Sequence, residues 1–197
     1  EKNKKITLSQ FTLKEVIRQT IFSISDNESN KLMSGELFQV ENNKLKVASL
    51  DGHRISIRNV FLKESNDDIK VVVPGKSLAD VNKILTGGIE DDINIYFTDK
   101  HVLFEFDDTK IVSRLLEGEY YKIDQMLSTD YETKIDINKK ELLDCIDRAS
   151  LLIKESDKKP IIINVKEQSL YLKIDSIMGS MDEDIDILKE GKDIIIG

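Results

Sequence analysis

The residues of this chain best suited to chemistry stand in one tetrapeptide, Asp51-Gly52-His53-Arg54. An aspartate and a histidine two positions apart are the makings of a general acid–base pair. Such a pair needs company, and no second His/Asp/Glu cluster at a useful spacing and no Ser or Cys nucleophile accompanies it. The same four residues also read as a turn or bulge at a strand junction, with Gly52 supplying backbone freedom. His101 falls in a hairpin, where a structural role is expected. Cys145, the single cysteine, lies on the apolar side of a helix and reads as a small buried hydrophobe. No P-loop, dinucleotide fingerprint or metal-ligand spacing occurs, so neither cofactor nor metal is expected.

The other candidate chemistry is electrostatic. Lys14/Arg18, Lys76/Lys83 and Lys139/Lys140 each fall at the start or on the outer side of an amphipathic helix. Helices packed side by side would place them on one face, able to hold a phosphate backbone. Taken singly, each is an ordinary solvated charge, so the signal is in the repetition. Aromatic residues do not interleave with these cations, which leaves no argument for base stacking.

The elements that must position these residues come from a repeat. Lys5–Thr20, Lys70–Leu85 and Lys134–Ala149 align without a gap, their starts 65 and 64 residues apart. Each has a Lys, a short apolar strand, a break at Ser9, Pro74 or Asn138, and a helix with apolar residues three and four apart. In unit one the helix runs from about Ser9 to Phe22, buries Leu13, Val16, Ile17 and Ile21, and leaves Lys14 and Arg18 on or near solvent. Strands are expected at Leu32–Val40, Lys44–Leu50 and His53–Leu62, with a tight turn at Asn42-Asn43. After the charged link Lys63–Asp68, unit two has a helix from Gly75 to Thr86 ended by Gly87-Gly88. Strands follow at Ile93–Thr98, His101–Asp107 and Lys110–Leu115. Glu117–Asp130 reads as a linker between two domains. Unit three adds strands at Ile161–Val165, Leu170–Ile174 and Met181–Ile187, and Lys192–Gly197 looks like the first strand of a fourth unit. A longer natural chain, of which these residues are a fragment, is therefore expected.

The totals agree with an α+β protein. The 197 residues include no Trp, 6% aromatics and 34% charged residues, so the core is aliphatic. A net charge of -8 excludes a protein that coats nucleic acid with its whole surface but leaves room for a basic face. One cysteine excludes an internal disulfide framework, and no apolar run approaches membrane-span length. A cytoplasmic protein without membrane association is expected.

Gly35-Glu36-Leu37-Phe38 leading to Leu45–Ile55 (LKVASLDGHRI), Ser113–Gly118 (SRLLEG) and Glu141–Leu151 (ELLDCIDRASL) together resemble the bacterial DNA polymerase III beta subunit family. The resemblance implies a DNA-clamp fold of repeated strand-helix-antiparallel-strand units, helices lining one face and antiparallel sheets the other. It implies that 1–128 is the middle domain (units 1–66 and 67–128, including linker 117–128) and 129–197 the first half of a C-terminal domain. The implied activity is that of a non-catalytic processivity factor, a homodimeric ring that encircles duplex DNA without sequence preference. Short peptides from the replicative polymerase subunit, the clamp loader and repair proteins would dock in a surface pocket. Carried over residue by residue, that pocket is Met33, Leu50, Gly52, His53, Arg54 and Ile55, with Tyr121, Gln125 and Met126. Tyr121 and Gln125 depart from the family's common Pro and Arg. The DNA-facing positions would be Lys14, Arg18, Lys31, Lys76, Lys83 and Lys140. This stretch alone would be monomeric. Two rival readings are a β-rich peptide-binding adaptor without a DNA role and an enzyme centred on Asp51 and His53.

Overall fold

The computed structural model describes residues 4–26, 29–65, 67–127, 130–154, 156 and 159–197. The chain divides into two compact units, Glu1–Asp124 and Gln125–Gly197. The expected domain boundary between 128 and 129 lies outside the described residues.

The first unit opens with β1 (Lys4–Ser9), followed at once by α1 (Gln10–Thr20). The Ser9 side chain caps α1 by accepting from the Thr12 N–H at 3.1 Å, which satisfies one of the donors a helix start leaves orphaned. A hairpin then forms from β2 (Gly35–Glu41) and β3 (Lys44–Leu50), joined at Asn42 and Asn43 with φ of 50° and 61°. Asparagine tolerates that left-handed backbone, as a two-residue hairpin requires. Next come β4 (Ile55–Phe61) and the two-residue β5 (Glu64–Ser65). The second repeat supplies β6 (Ile69–Pro74), α2 (Gly75–Ile84), β7 (Asp92–Phe97), β8 (His101–Phe106) and β9 (Thr109–Arg114).

The repeats interlock. One sheet runs β4-β3-β2-β6 and the other β5-β1-β7-β8-β9, with antiparallel pairing throughout. Each repeat therefore gives its first strand to the other repeat's hairpin, so neither half can bury its apolar face alone. Leu13, Val16 and Ile17 of α1 and Leu78, Val81 and Leu85 at α2 meet Phe38, Val47, Ile95 and Phe104 from the two sheets in one buried cluster.

The second unit begins within α3 (Ile123–Met126). It continues with β10 (Thr133–Ile137), α4 (Lys139–Ser150), β11 (Ile162–Lys166), β12 (Ser169–Ser176), β13 (Gly179–Gly191) and β14 (Ile194–Ile196). Its sheet runs β10-β13-β12-β11-β14. β14 pairs with β11 just as β6 pairs with β2, so this unit repeats the plan of the first. Cys145 and Ala149 are buried with Leu172 and Ile174. Ile146, aligned with the fully buried Ile17, is 37% exposed.

Three expectations need correction, and the placing of Lys14 near solvent gains a detail. Lys31–Ser34 is a turn of 3-10 helix and the strand begins only at Gly35, since Leu32 and Met33 pack sideways against a cluster rather than alternating across a sheet. α2 ends at Ile84, and Gly87 serves a close approach instead of a left-handed cap: a Cβ there would meet Gln10 Cδ at 2.5 Å. Lys14 is only partly exposed, with Nζ donating to the Leu85 carbonyl at 3.0 Å and so closing the end of α2. Residues 117–124 are not a free linker but part of the first unit, where Tyr120 and Ile123 are buried.

Candidate partner-binding site

β3 is apolar on both faces. Leu45 and Val47 point into the helix-side core, whereas Ala48 and Leu50 point the other way. On that outer face Ala48 and Leu50 join Leu37, Val72, Tyr120 and Ile123 in a second buried cluster, and Met33, Ile55 and Tyr121 pack against it partly exposed. Tyr120 fixes the crossing segment, its hydroxyl donating to the Gly35 carbonyl at 3.2 Å and its ring meeting Tyr121 edge-on at 5.9 Å. The Tyr121 hydroxyl accepts from Asn30 Nδ2, and the Ser25 N–H donates to the Met33 carbonyl at 2.8 Å. An apolar platform with aromatic and methionine side chains at its surface results.

The tetrapeptide sits at the edge of that platform, after β3. Gly52 takes φ of 92°, which only glycine adopts without strain. Asp51 Oδ1 accepts the N–H groups of His53 at 3.0 Å and Arg54 at 3.1 Å, and Oδ2 accepts Arg54 Nε at 2.8 Å. Those bonds, the His53 N–H first and the Arg54 side chain second, hold the Asp51 carboxyl below its ordinary value. A carboxylate so committed is a turn-former, and among its described bonds none reaches the His53 ring. The Arg54 guanidinium lies 5.6 Å from the Phe22 ring centroid, a cation–π contact that aims it.

Of the sequence-predicted pocket residues, Met33, Leu50, Ile55 and Tyr121 share one cluster, with Gly52, His53 and Arg54 in the turn that follows Leu50. Gln125 and Met126 belong to the second compact unit, and both are exposed. Leu37, Val72, Tyr120 and Phe22 were missed. The apolar residues on both alternating faces of β3, Leu45 and Val47 on one and Ala48 and Leu50 on the other, were the signal for a second buried face, and nothing local marked Phe22.

Among the described residues the cations divide into paired and open. Arg18 donates to both oxygens of Glu15 at 2.9 and 2.7 Å while 61% exposed. Lys83 meets Asp80 at 3.1 Å, and in the second unit Lys140 meets Asp144 at 2.9 Å. Lys31 and Lys76 line a groove of about 690 Å³ with Ile21, Ile24, Pro74 and Ala79, at the N-terminus of α2. Pro74 stands at the N-cap of that helix and makes no side-chain cap bond to it.

The family model for the DNA polymerase III beta subunit, central domain, matches residues 7–122. The chain belongs to the DNA polymerase III beta subunit family. It is 35% identical over 182 residues to the beta sliding clamp of Staphylococcus aureus, covering 92% of this chain and 48% of that protein. Among solved structures, one assigned to the DNA polymerase III beta subunit of Eubacterium rectale superposes with a TM-score of 0.96 at 64% identity, over 100% of this chain and 54% of that one. The DNA polymerase sliding clamp of Bacillus subtilis gives a TM-score of 0.91 at 32% identity, over 99% and 52%. The fold is thus the α+β clamp fold, and the chain spans about half the length of these relatives. No helix among the described residues is long and apolar enough to cross a membrane.

Proposed function

We propose that this chain is part of a cytoplasmic, non-catalytic sliding clamp that encircles duplex DNA and tethers the replicative polymerase subunit, the clamp loader and repair proteins by short peptides. Residues 1–128 would form its middle domain and 129–197 part of its last, with the full-length protein a homodimeric ring. The observation that carries this reading is the platform of Met33, Leu50, Ile55 and Tyr121 beside the Asp51–Arg54 turn, in a chain of the beta subunit family. An apolar surface bordered by an aimed arginine suits a peptide with hydrophobic anchors and a polar end. Gln125 and Met126 are the remaining positions that the family resemblance assigns to partner binding.

For DNA, Lys31 and Lys76 would make the strongest phosphate contacts, with Lys14, Arg18, Lys83 and Lys140 adding weaker ones because each already has a partner. A ring that slides benefits from such modest, non-specific attraction inside an acidic body. Tethering would raise the polymerase's effective concentration at the template, which is the physical basis of processivity.

Titration of this chain with a labelled clamp-binding peptide tests the pocket. Saturable binding is expected, weakened about 5- to 30-fold by Met33→Ala and by Arg54→Ala, as loss of an anchor at an interface costs about 1–2 kcal/mol. Binding indifferent to both substitutions would place the site elsewhere.

A further inference from the structure

Glu36 is fully buried on the helix side of β2, one position from the partner-binding platform and unused by it. Its Oε1 has no hydrogen-bond partner among the described residues. Its Oε2 lies 3.2 Å from Thr20 Oγ1, at the end of α1. Thr20 Oγ1 in turn lies 2.8 Å from the Val16 carbonyl and 3.4 Å from that of Ile17. A hydroxyl has one hydrogen, and a carbonyl can only accept. If the Thr20 hydrogen serves the shorter contact to Val16, the hydrogen between Thr20 and Glu36 must come from the carboxyl.

The surroundings agree with a neutral acid. Thr20 is a hub: the Ser49 hydroxyl of β3 donates to its carbonyl at 2.5 Å, and beyond it Ser23 and Ser56 hydroxyls meet at 2.7 Å. None of these groups carries charge. From β6, Glu36 faces Val73 across the ladder. Among the described residues Tyr120 feels it: its phenol is pushed up by burial first and by Glu36 second. Burial pushes the Glu36 carboxyl up to about 8, with the Thr20 hydroxyl working against that rise when it donates.

We propose that Glu36 is a proton-bearing latch for the turn that follows α1. Neutral, it donates to Thr20 Oγ1 and leaves the Thr20 hydrogen on the Val16 carbonyl. Ionised, with its proton passed to solvent, it draws that hydrogen onto Oε2, strips the helix carbonyl of a partner and leaves a buried charge that only opening relieves. The turn so released, Ile21–Ser23, carries Phe22 beneath Arg54 on one side and continues through Ile24 along the Lys31/Lys76 groove on the other. One protonation event thereby reaches both surfaces.

The sign follows from linkage. A carboxyl whose proton is held more tightly in the closed state contributes stability that is complete below its ordinary value of 4.5 and is lost as pH rises to about 8. The test is carbon-13 NMR of the Glu36 carboxyl together with amide exchange of Ile21–Ser25, in wild type and Glu36→Gln. The carboxyl resonance, identified by its loss in the variant, should titrate above about pH 7. Protection of those amides should fall by up to about tenfold per pH unit between about 5 and 8 and then level off, a dependence missing from E36Q. Titration below about pH 5 would overturn the latch, as would an E36Q profile that matches wild type. Should E36Q not fold, the wild-type carboxyl titration decides alone, because a carboxyl that titrates above about pH 7 stands apart from those that a hydrogen-bonded cation holds low, such as Asp51 and Glu15.

Discussion

Asp51 shows how a residue that invites a catalytic reading is used for shape. Its two oxygens are spent on two backbone N–H groups and one guanidinium, and the turn they hold delivers Arg54 over Phe22. Asp51→Asn keeps an acceptor for the N–H groups but cannot hold Arg54 by charge. The Arg54 Nε–H signal should therefore be slow-exchanging in wild type and fast in the variant. Because the folded state depresses this carboxyl, wild-type protection is complete above the ordinary 3.8 and is lost as pH falls through the lower folded value. A signal equally protected in both proteins would remove the Asp51 role. The turn was legible in the sequence, since Asp-Gly after an apolar run is turn chemistry. Glu36 was not, because a glutamate in Gly-Glu-Leu-Phe reads as a strand-edge charge until Thr20, 16 residues away, is seen beside it.

Elements were the most legible scale. A strand, a polar break and an amphipathic helix recur at matching positions, and β1/α1, β6/α2 and β10/α4 all formed there. Misreadings arose where apolar residues serve a purpose other than alternation: Leu32 and Met33 suggested a strand but face a cluster from a 3-10 turn. Two caps give these helices separable tests. Ser9 accepts from Thr12 N–H, and Asn138 Oδ1 accepts from the N–H groups of Lys140 and Glu141 at 2.9 and 3.1 Å. Ser9→Ala and Asn138→Ala should each destabilise by about 1 kcal/mol. Ser9→Ala should lower urea protection of amides in the first unit and Asn138→Ala in the second, as measured by exchange. Equal loss in both units from either change would mean the two do not unfold separately.

At the scale of the whole molecule, what the sequence hid was how the repeats share strands. Periodicity locates β1 and β6, but only pairing shows that each completes the other repeat's sheet, with β5-β1-β7-β8-β9 and β4-β3-β2-β6. The segment after β9 was hidden too, because its polar run Glu117–Glu119 masks the anchors Tyr120 and Ile123 that bury it in the first unit. In the first unit the shared strands and the two helices bury one common core, and in the proposed ring containing this unit, sliding on DNA would draw on an acidic chain with Lys31 and Lys76 at one groove. The most direct test is retention on DNA of the full-length protein carrying this chain, loaded by its clamp loader on a nicked circle. The account predicts that it stays through a high-salt wash on the circle and is released when the circle is cut, since topology rather than ionic contact holds it. Equal retention on circular and linear DNA, or loss from both in salt, would contradict a sliding clamp.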